Sequence, residues 1–199
     1  MIFTGDAIFE GGAGKFLEGT PLMMHQILYR MLEYEDEAEN VKLFYGHDYG
    51  WKNTMWMKEV IFSKDKIRSD TSPRLLQLRD KIDAKHERLT ALRSTEKTQY
   101  STGNTLKEEL ELNLFLNIVK EASSHGYEDG ENELGLDELG DLIGCQEDPV
   151  RITERGVEGI RILRESRSAF DQFVDPIGSK YRAWKSKLRM QQIEMKKEE

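Results

Sequence analysis

The chain has 199 residues, of which 38% are apolar and 33% charged, and a net charge of −8. That suffices for one ordinary core or two small ones, and the acidic balance excludes a general nucleic-acid binder. The single cysteine, Cys145, excludes an internal disulfide, and no apolar run reads as a membrane span or a signal peptide, so a soluble, cytoplasmic protein with no membrane contact is expected.

In chain order, Ile2 and Phe3 predict a short buried strand that ends at Thr4-Gly5-Asp6. Gly5 permits a close turn, and the carboxylate of Asp6 can bridge divalent cations; an Asp after a strand also serves as a turn former or N-cap. A strand at the very start of the chain lacks preceding neighbours to pack against, so Met1 is expected to be an internal residue of a longer ancestral chain. The loop from Glu10 to Gly19 is rich in glycine and carries Lys15. A phosphate-cradling P-loop would need Ser or Thr where Phe16 stands, and from the residues alone Lys15 is a solvated loop lysine.

Thr20-Pro21 opens a helix with Met24, Ile27, Leu28 and Met31 on one apolar face and His25 off it, exposed or capping. Val41–Tyr45 predicts a second buried strand, followed by Gly46-His47-Asp48-Tyr49. His47 offers an imidazole to the cations that Asp6 could hold, and Tyr49 reads as a half-buried aromatic with its hydroxyl satisfied. Trp51, Met55 and Trp56 read as packing residues. From about residue 64 the pattern is helical: Ser72-Pro73 starts a helix with Leu75, Leu78, Ile82, Leu89 and Leu92 in its stripe and His86 at the surface, and Thr105 with Glu108 forms a capping box.

Residues 125–148 carry nine Asp or Glu and no Lys or Arg. Within them, Tyr127 to Glu138 can be laid on a calcium loop, with Tyr127 and Asn132 in place of the required Asp and Gly; a solvated acidic loop is the alternative. Arg161, Arg164 and Arg167 recur every three residues along one drifting helix face, which by itself reads as a basic surface paired with Glu158 and Glu165. Ile177, Tyr181, Trp184, Leu188 and Met195 stripe a basic tail helix that docks on the helical part or binds a partner.

Several of these short runs, in order, resemble the hydroxyacylglutathione hydrolase (glyoxalase II) family of the metallo-β-lactamase fold. They are Thr4-Gly5-Asp6-Ala7-Ile8-Phe9, Gly11 to Phe16 with Glu18-Gly19-Thr20, Gly46 to Tyr49 with Asn53, Thr105 to Glu109 with Asn113 and Phe115, Gly144-Cys145 with Pro149-Val150, and Arg161 to Phe170. The Thr105–Phe115 run favours this family over the related persulfide dioxygenases. The resemblance implies an α/β fold class: the C-terminal portion of an αββα sandwich over 1–62, then a mainly α-helical, glutathione-binding domain over 63–175 with the acidic insertion 125–148, and the tail 176–199. It further implies a metal-dependent thioesterase that cleaves S-(2-hydroxyacyl)glutathione. Asp6 and His47 would be the catalytic metal ligands, and Lys15, Phe16, Tyr49, Arg164 and Arg167 the substrate contacts. Leu17 departs from the tyrosine common in the family. The family's cofactors are two divalent metals, zinc with iron or manganese as alternatives. Its His-x-His-x-Asp-His cluster has no counterpart here, so the site is expected to be incomplete, and a catalytically inactive remnant that binds glutathione or a partner is the alternative.

Overall fold

The computed structural model describes residues 1–94, 104–124, 139, 142–143 and 152–174. The calcium-loop reading at 127–138, Cys145 and the tail helix lie outside the described residues.

Two short parallel strands start the architecture: β1 (Ile2–Gly5) pairs with β4 (Leu43–Tyr45), with Ile2 opposite Leu43 and Phe3 opposite Phe44. The register breaks between Phe3 and Gly5, where Thr4 Oγ1 donates to the carbonyls of Ile8 and Phe44. The expectation that both strands are buried holds for one face only. Leu43 is fully buried, whereas Phe3 is 77% exposed and stacks on Phe44 with ring centroids 5.1 Å apart. Successive strand side chains alternate in direction, so one apolar run necessarily serves two faces. Between the strands runs a hairpin of β2 (Ile8–Phe9) and β3 (Gly12–Ala13), antiparallel and buried.

The helices follow the sequence signals closely. Helix α1 (Pro21–Leu32) is capped by Thr20, whose hydroxyl accepts from the amide of Met23 at 3.2 Å. Its buried face is Met24, His25, Leu28 and Met31; Ile27 is 43% exposed. His25 is therefore a core residue, and the expectation of an exposed or capping histidine is corrected. It sits at i−3 to Leu28, on the side of the helix that meets the rest of the protein. Helix α2 (Gly50–Trp56) continues through a π-helical turn at Met57–Ile61. Helix α3 (Pro73–Ser94) buries Leu75, Ile82 and Leu89. Its His86 is half-buried and not simply at the surface: Nδ1 is 3.0 Å from Thr54 Oγ1, and the ring lies 5.7 Å from that of Trp51. Helix α4 (Leu106–Leu112) begins with the expected capping box between Thr105 and Glu108, and α5 (Leu114–Ser124) follows after Asn113. Helix α6 (Ile152–Val174) packs on α5 and α1.

One apolar cluster runs from Ile8 and Leu43 through Leu28, Trp56 and Ile82 to Phe115, Ile160 and Phe170. The strands, the hairpin and the helices thus share a core. Among the described residues the strands make two two-stranded pairs beside six α-helices. No helix among the described residues is long and apolar enough to cross a membrane.

Candidate metal and substrate site

The site is built where β1 and β4 both end. Gly5 has φ +52°, a left-handed conformation that an L side chain rarely adopts, and it turns the chain so that Asp6 leaves the strand end. Gly46 faces it: its amide donates to the Gly5 carbonyl at 2.8 Å, and a Cβ on Gly46 would come within 2.6 Å of Asp6 Oδ1. These two glycines bring the next residue of each strand together. His47 Nε2 lies 3.5 Å from Asp6 Oδ1, with side-chain exposures of 54% and 72%. Tyr49 stacks on the His47 ring at 5.3 Å and meets Phe9 edge-on at 4.9 Å, so the imidazole stands against an aromatic wall. Parallel strand ends are where open α/β sheets place ligands, and a carboxylate beside an imidazole is a pair of metal donors. Among the described residues, no group of three or more His, Cys, Asp or Glu side chains is arranged to hold a metal.

The hairpin that follows Asp6 is held by a buried polar clamp. Glu109, fully buried on α4, accepts from the amide of Gly11 at 2.9 Å, from Asn113 Nδ2 at 2.8 Å, from Asn104 Nδ2 at 2.7 Å and from the hydroxyl of Tyr45 at 3.0 Å. Asn113 Nδ2 also reaches the Gly12 carbonyl at 3.1 Å. Glu10, buried at the hairpin turn, pairs with Lys85 of α3 at 2.6 Å and accepts from Asn104. Burial raises the Glu109 carboxyl above its ordinary value, and Glu10 nearby adds to this; the hydrogen bonds to Asn104, Asn113 and Gly11 offset part of it. Burial also pushes Tyr45 up, and the charge of Glu109 reinforces it.

The three arginines of α6 divide. Arg161 is exposed and pairs with both Glu158 and Glu165, as a basic surface would. Arg164 and Arg167 are buried and turned toward the hairpin: Arg164 Nη1 donates to the Ala13 carbonyl at 2.8 Å, and Arg167 Nε to Asn53 Oδ1 at 3.0 Å. Asn53 in turn donates to the Glu10 carbonyl at 2.8 Å. Desolvation lowers Arg164 to about 10, helped by the neighbouring Arg167. Lys15, just past β3, lies 3.6 Å from Asp171 of α6 and keeps a side-chain exposure of 41%. Phe16 beside it is partly buried against the core.

The structure therefore makes two groups of the candidate residues: Asp6, His47 and Tyr49 at the strand ends, and Lys15, Arg164 and Arg167 where α6 meets β3. Sequence reasoning missed the clamp. Asn53, Glu109 and Asn113 stood inside the recognised runs, and polar residues at apolar helix positions were the available signal; nothing in the spacing of Glu10 or Lys85 pointed to their pairing.

No family model matches the chain. Over 116 residues it is 28% identical to a hydroxyacylglutathione hydrolase of Prochlorococcus marinus (strain NATL1A), a stretch that is 58% of this chain and 38% of that protein. The hydroxyacylglutathione hydrolase of Pelagibacter ubique (strain HTCC1062) is 34% identical over 116 residues, 58% of this chain and 40% of the relative. That of Dictyostelium discoideum is 37% identical over 59 residues, 30% of this chain and 21% of the relative. The chain thus spans about two fifths of the length of the bacterial relatives.

Proposed function

We propose, for a chain related over this stretch to the hydroxyacylglutathione hydrolases, that it is a protein of that thioesterase type and carries the surface that holds the glutathione part of S-(2-hydroxyacyl)glutathione. The observation that carries this reading is the meeting of Asp6 and His47 at the ends of paired parallel strands, 3.5 Å apart; the hairpin that follows Asp6 leads to Lys15, beside the helix that carries Arg164 and Arg167. Lys15, with Arg164 and Arg167, supplies cations for glutathione carboxylates, and Tyr49 and Phe16 supply apolar faces for the chain between carboxylate and thioester. A metallo-β-lactamase-type fold and a cytoplasmic setting go with this proposal.

Divalent metal, zinc with iron or manganese as alternatives, supplies Lewis acidity in such a hydrolysis when bound. The donor chemistry of Asp6 and His47 fits such an ion, but the donor number does not: a catalytic zinc takes three protein ligands, and these are two. No hydrolytic step is therefore assigned to the described residues. The donor count also favours a second reading, a non-catalytic module that binds glutathione through the same cations.

Metal content and hydrolysis of S-lactoylglutathione, measured on the purified chain together with thermal stabilisation by glutathione, decide between them. Metal near two per chain with turnover supports the thioesterase. Stabilisation by glutathione without metal or turnover supports the binding module. No response to either overturns both.

A further inference from the structure

One turn beyond Arg167, α6 carries a carboxylate at the point where the cations of two separate segments meet. Asp171 Oδ1 accepts from Arg167 Nη1 at 2.5 Å, and Oδ2 lies 3.6 Å from Lys15 Nζ. The Asp171 side chain is 15% exposed and that of Arg167 5%, so the pair sits below the surface with Lys15 reaching over it. Arg164, one turn earlier, acts electrostatically on the same carboxylate. It is 8% exposed, and its Nε is buried with no hydrogen-bond partner among the described residues. Burial alone would disfavour the Asp171 charge, but Arg167, Lys15 and Arg164 together hold it below the usual carboxylate range. At neutral pH an internal anion therefore stands between Lys15 and Arg167.

We propose that Asp171 is a specificity-determining residue: it competes from within the chain with the carboxylate of an incoming glutathione thioester for Lys15 and Arg167. This rests on the reading above that these cations hold a glutathione carboxylate. Two carboxylates cannot share Lys15 and Arg167 without repulsion, so the ligand enters by drawing Lys15 away from Asp171. Lys15 can follow it, its side chain being 41% exposed on a flexible stem, and Arg167 is buried and held by Asn53. Binding then reflects the difference between two similar ion pairs, and the unanswered Nε of Arg164 is the contact a ligand gains that Asp171 does not already make. The consequence is weak selection for acidic ligands in the native chain.

The test is calorimetric titration of the full chain with glutathione and with glutathione diethyl ester, which lacks both carboxylates. Wild type is compared with the near-isosteric Asp171→Asn, with Asp171→Ser as a second variant and thermal melts to confirm folding. Replacing the internal anion is expected to tighten glutathione by about tenfold, the scale of one charge-assisted hydrogen bond, and to leave the ester unchanged. A purely structural role for Asp171 would weaken both ligands or move both equally, and either result overturns the proposal. If wild type binds glutathione, Arg164→Gln abolishes binding and Asp171→Asn does not tighten it, the proposal fails while the glutathione reading stands. If neither wild type nor Asp171→Asn binds glutathione, both fall.

Discussion

The two ends of the β2–β3 hairpin make opposite use of polar side chains. At the inner end, Glu109, Asn104, Asn113 and Tyr45 are interlocked by short bonds, with Glu109 fully buried. At the outer end, Asp6 and His47 stand 3.5 Å apart and largely in solvent. The inner group is costly to disturb because each lost partner leaves a desolvated donor behind, whereas the outer group gives up little when altered because water replaces what is lost. Groups held open at low structural cost are the ones available to a ligand, and the buried group is what keeps the backbone beneath them in place.

This contrast breaks most directly at Glu109. Glu109→Ala leaves the Gly11 amide and the Tyr45 hydroxyl without their acceptor and takes one acceptor from each of two asparagine amides, and is expected to cost about 2–5 kcal/mol in urea unfolding; a loss below about 1 kcal/mol, the scale of a single neutral hydrogen bond, would mean that it is not a clamp. Asn113→Ala removes donors to the Gly12 carbonyl and to Glu109, and about 1–3 kcal/mol is expected from the same measurement. The pH dependence sharpens the picture. Because burial raises Glu109 above its ordinary 4.5, its contribution is complete below that pH and is lost as pH rises through the raised folded value. Unfolding midpoints of Glu109→Gln should lack this slope, and an unchanged slope would assign it to another group. At the outer end, Asp6→Asn should move stability by less than about 0.5 kcal/mol while abolishing any metal uptake seen by titration with zinc. A large stability loss there would erase the distinction between the two ends.

Local signals were readable wherever a residue acts on its own neighbours. The Thr20 cap and the Thr105–Glu108 capping box both depend on a hydroxyl three residues from its partner, and both form as expected. The donor pair was readable for a different reason: each residue follows a glycine at a strand end, so pairing the strands brings Asp6 and His47 together. What could not be read was direction and distance. Strand spacing does not say which face lacks cover, so Phe3 and Phe44 were expected inside. Helical spacing put His25 outside the stripe, yet the buried arc is wide enough to take it in and leave Ile27 out. The equal spacing of Arg161, Arg164 and Arg167 likewise hid that the first faces solvent and the other two face the hairpin. Lys85 and Glu10, 75 positions apart, find each other only through the packing of α3, which no local pattern encodes.

The bonds that hold the hairpin are also far apart in time. Gly11 waits for Glu109, 98 residues later, and Ala13 for Arg164, 151 residues later. At a synthesis rate of roughly 5–20 residues per second, the hairpin emerges on the order of ten to thirty seconds before its last partner is made. During that interval α1 to α5 are made before α6, and closing so long a loop is intrinsically slow. The clamp, whose members end at Asn113, can therefore close on the hairpin before α6 has left the ribosome, and the contacts of Arg164 and Arg167 close last.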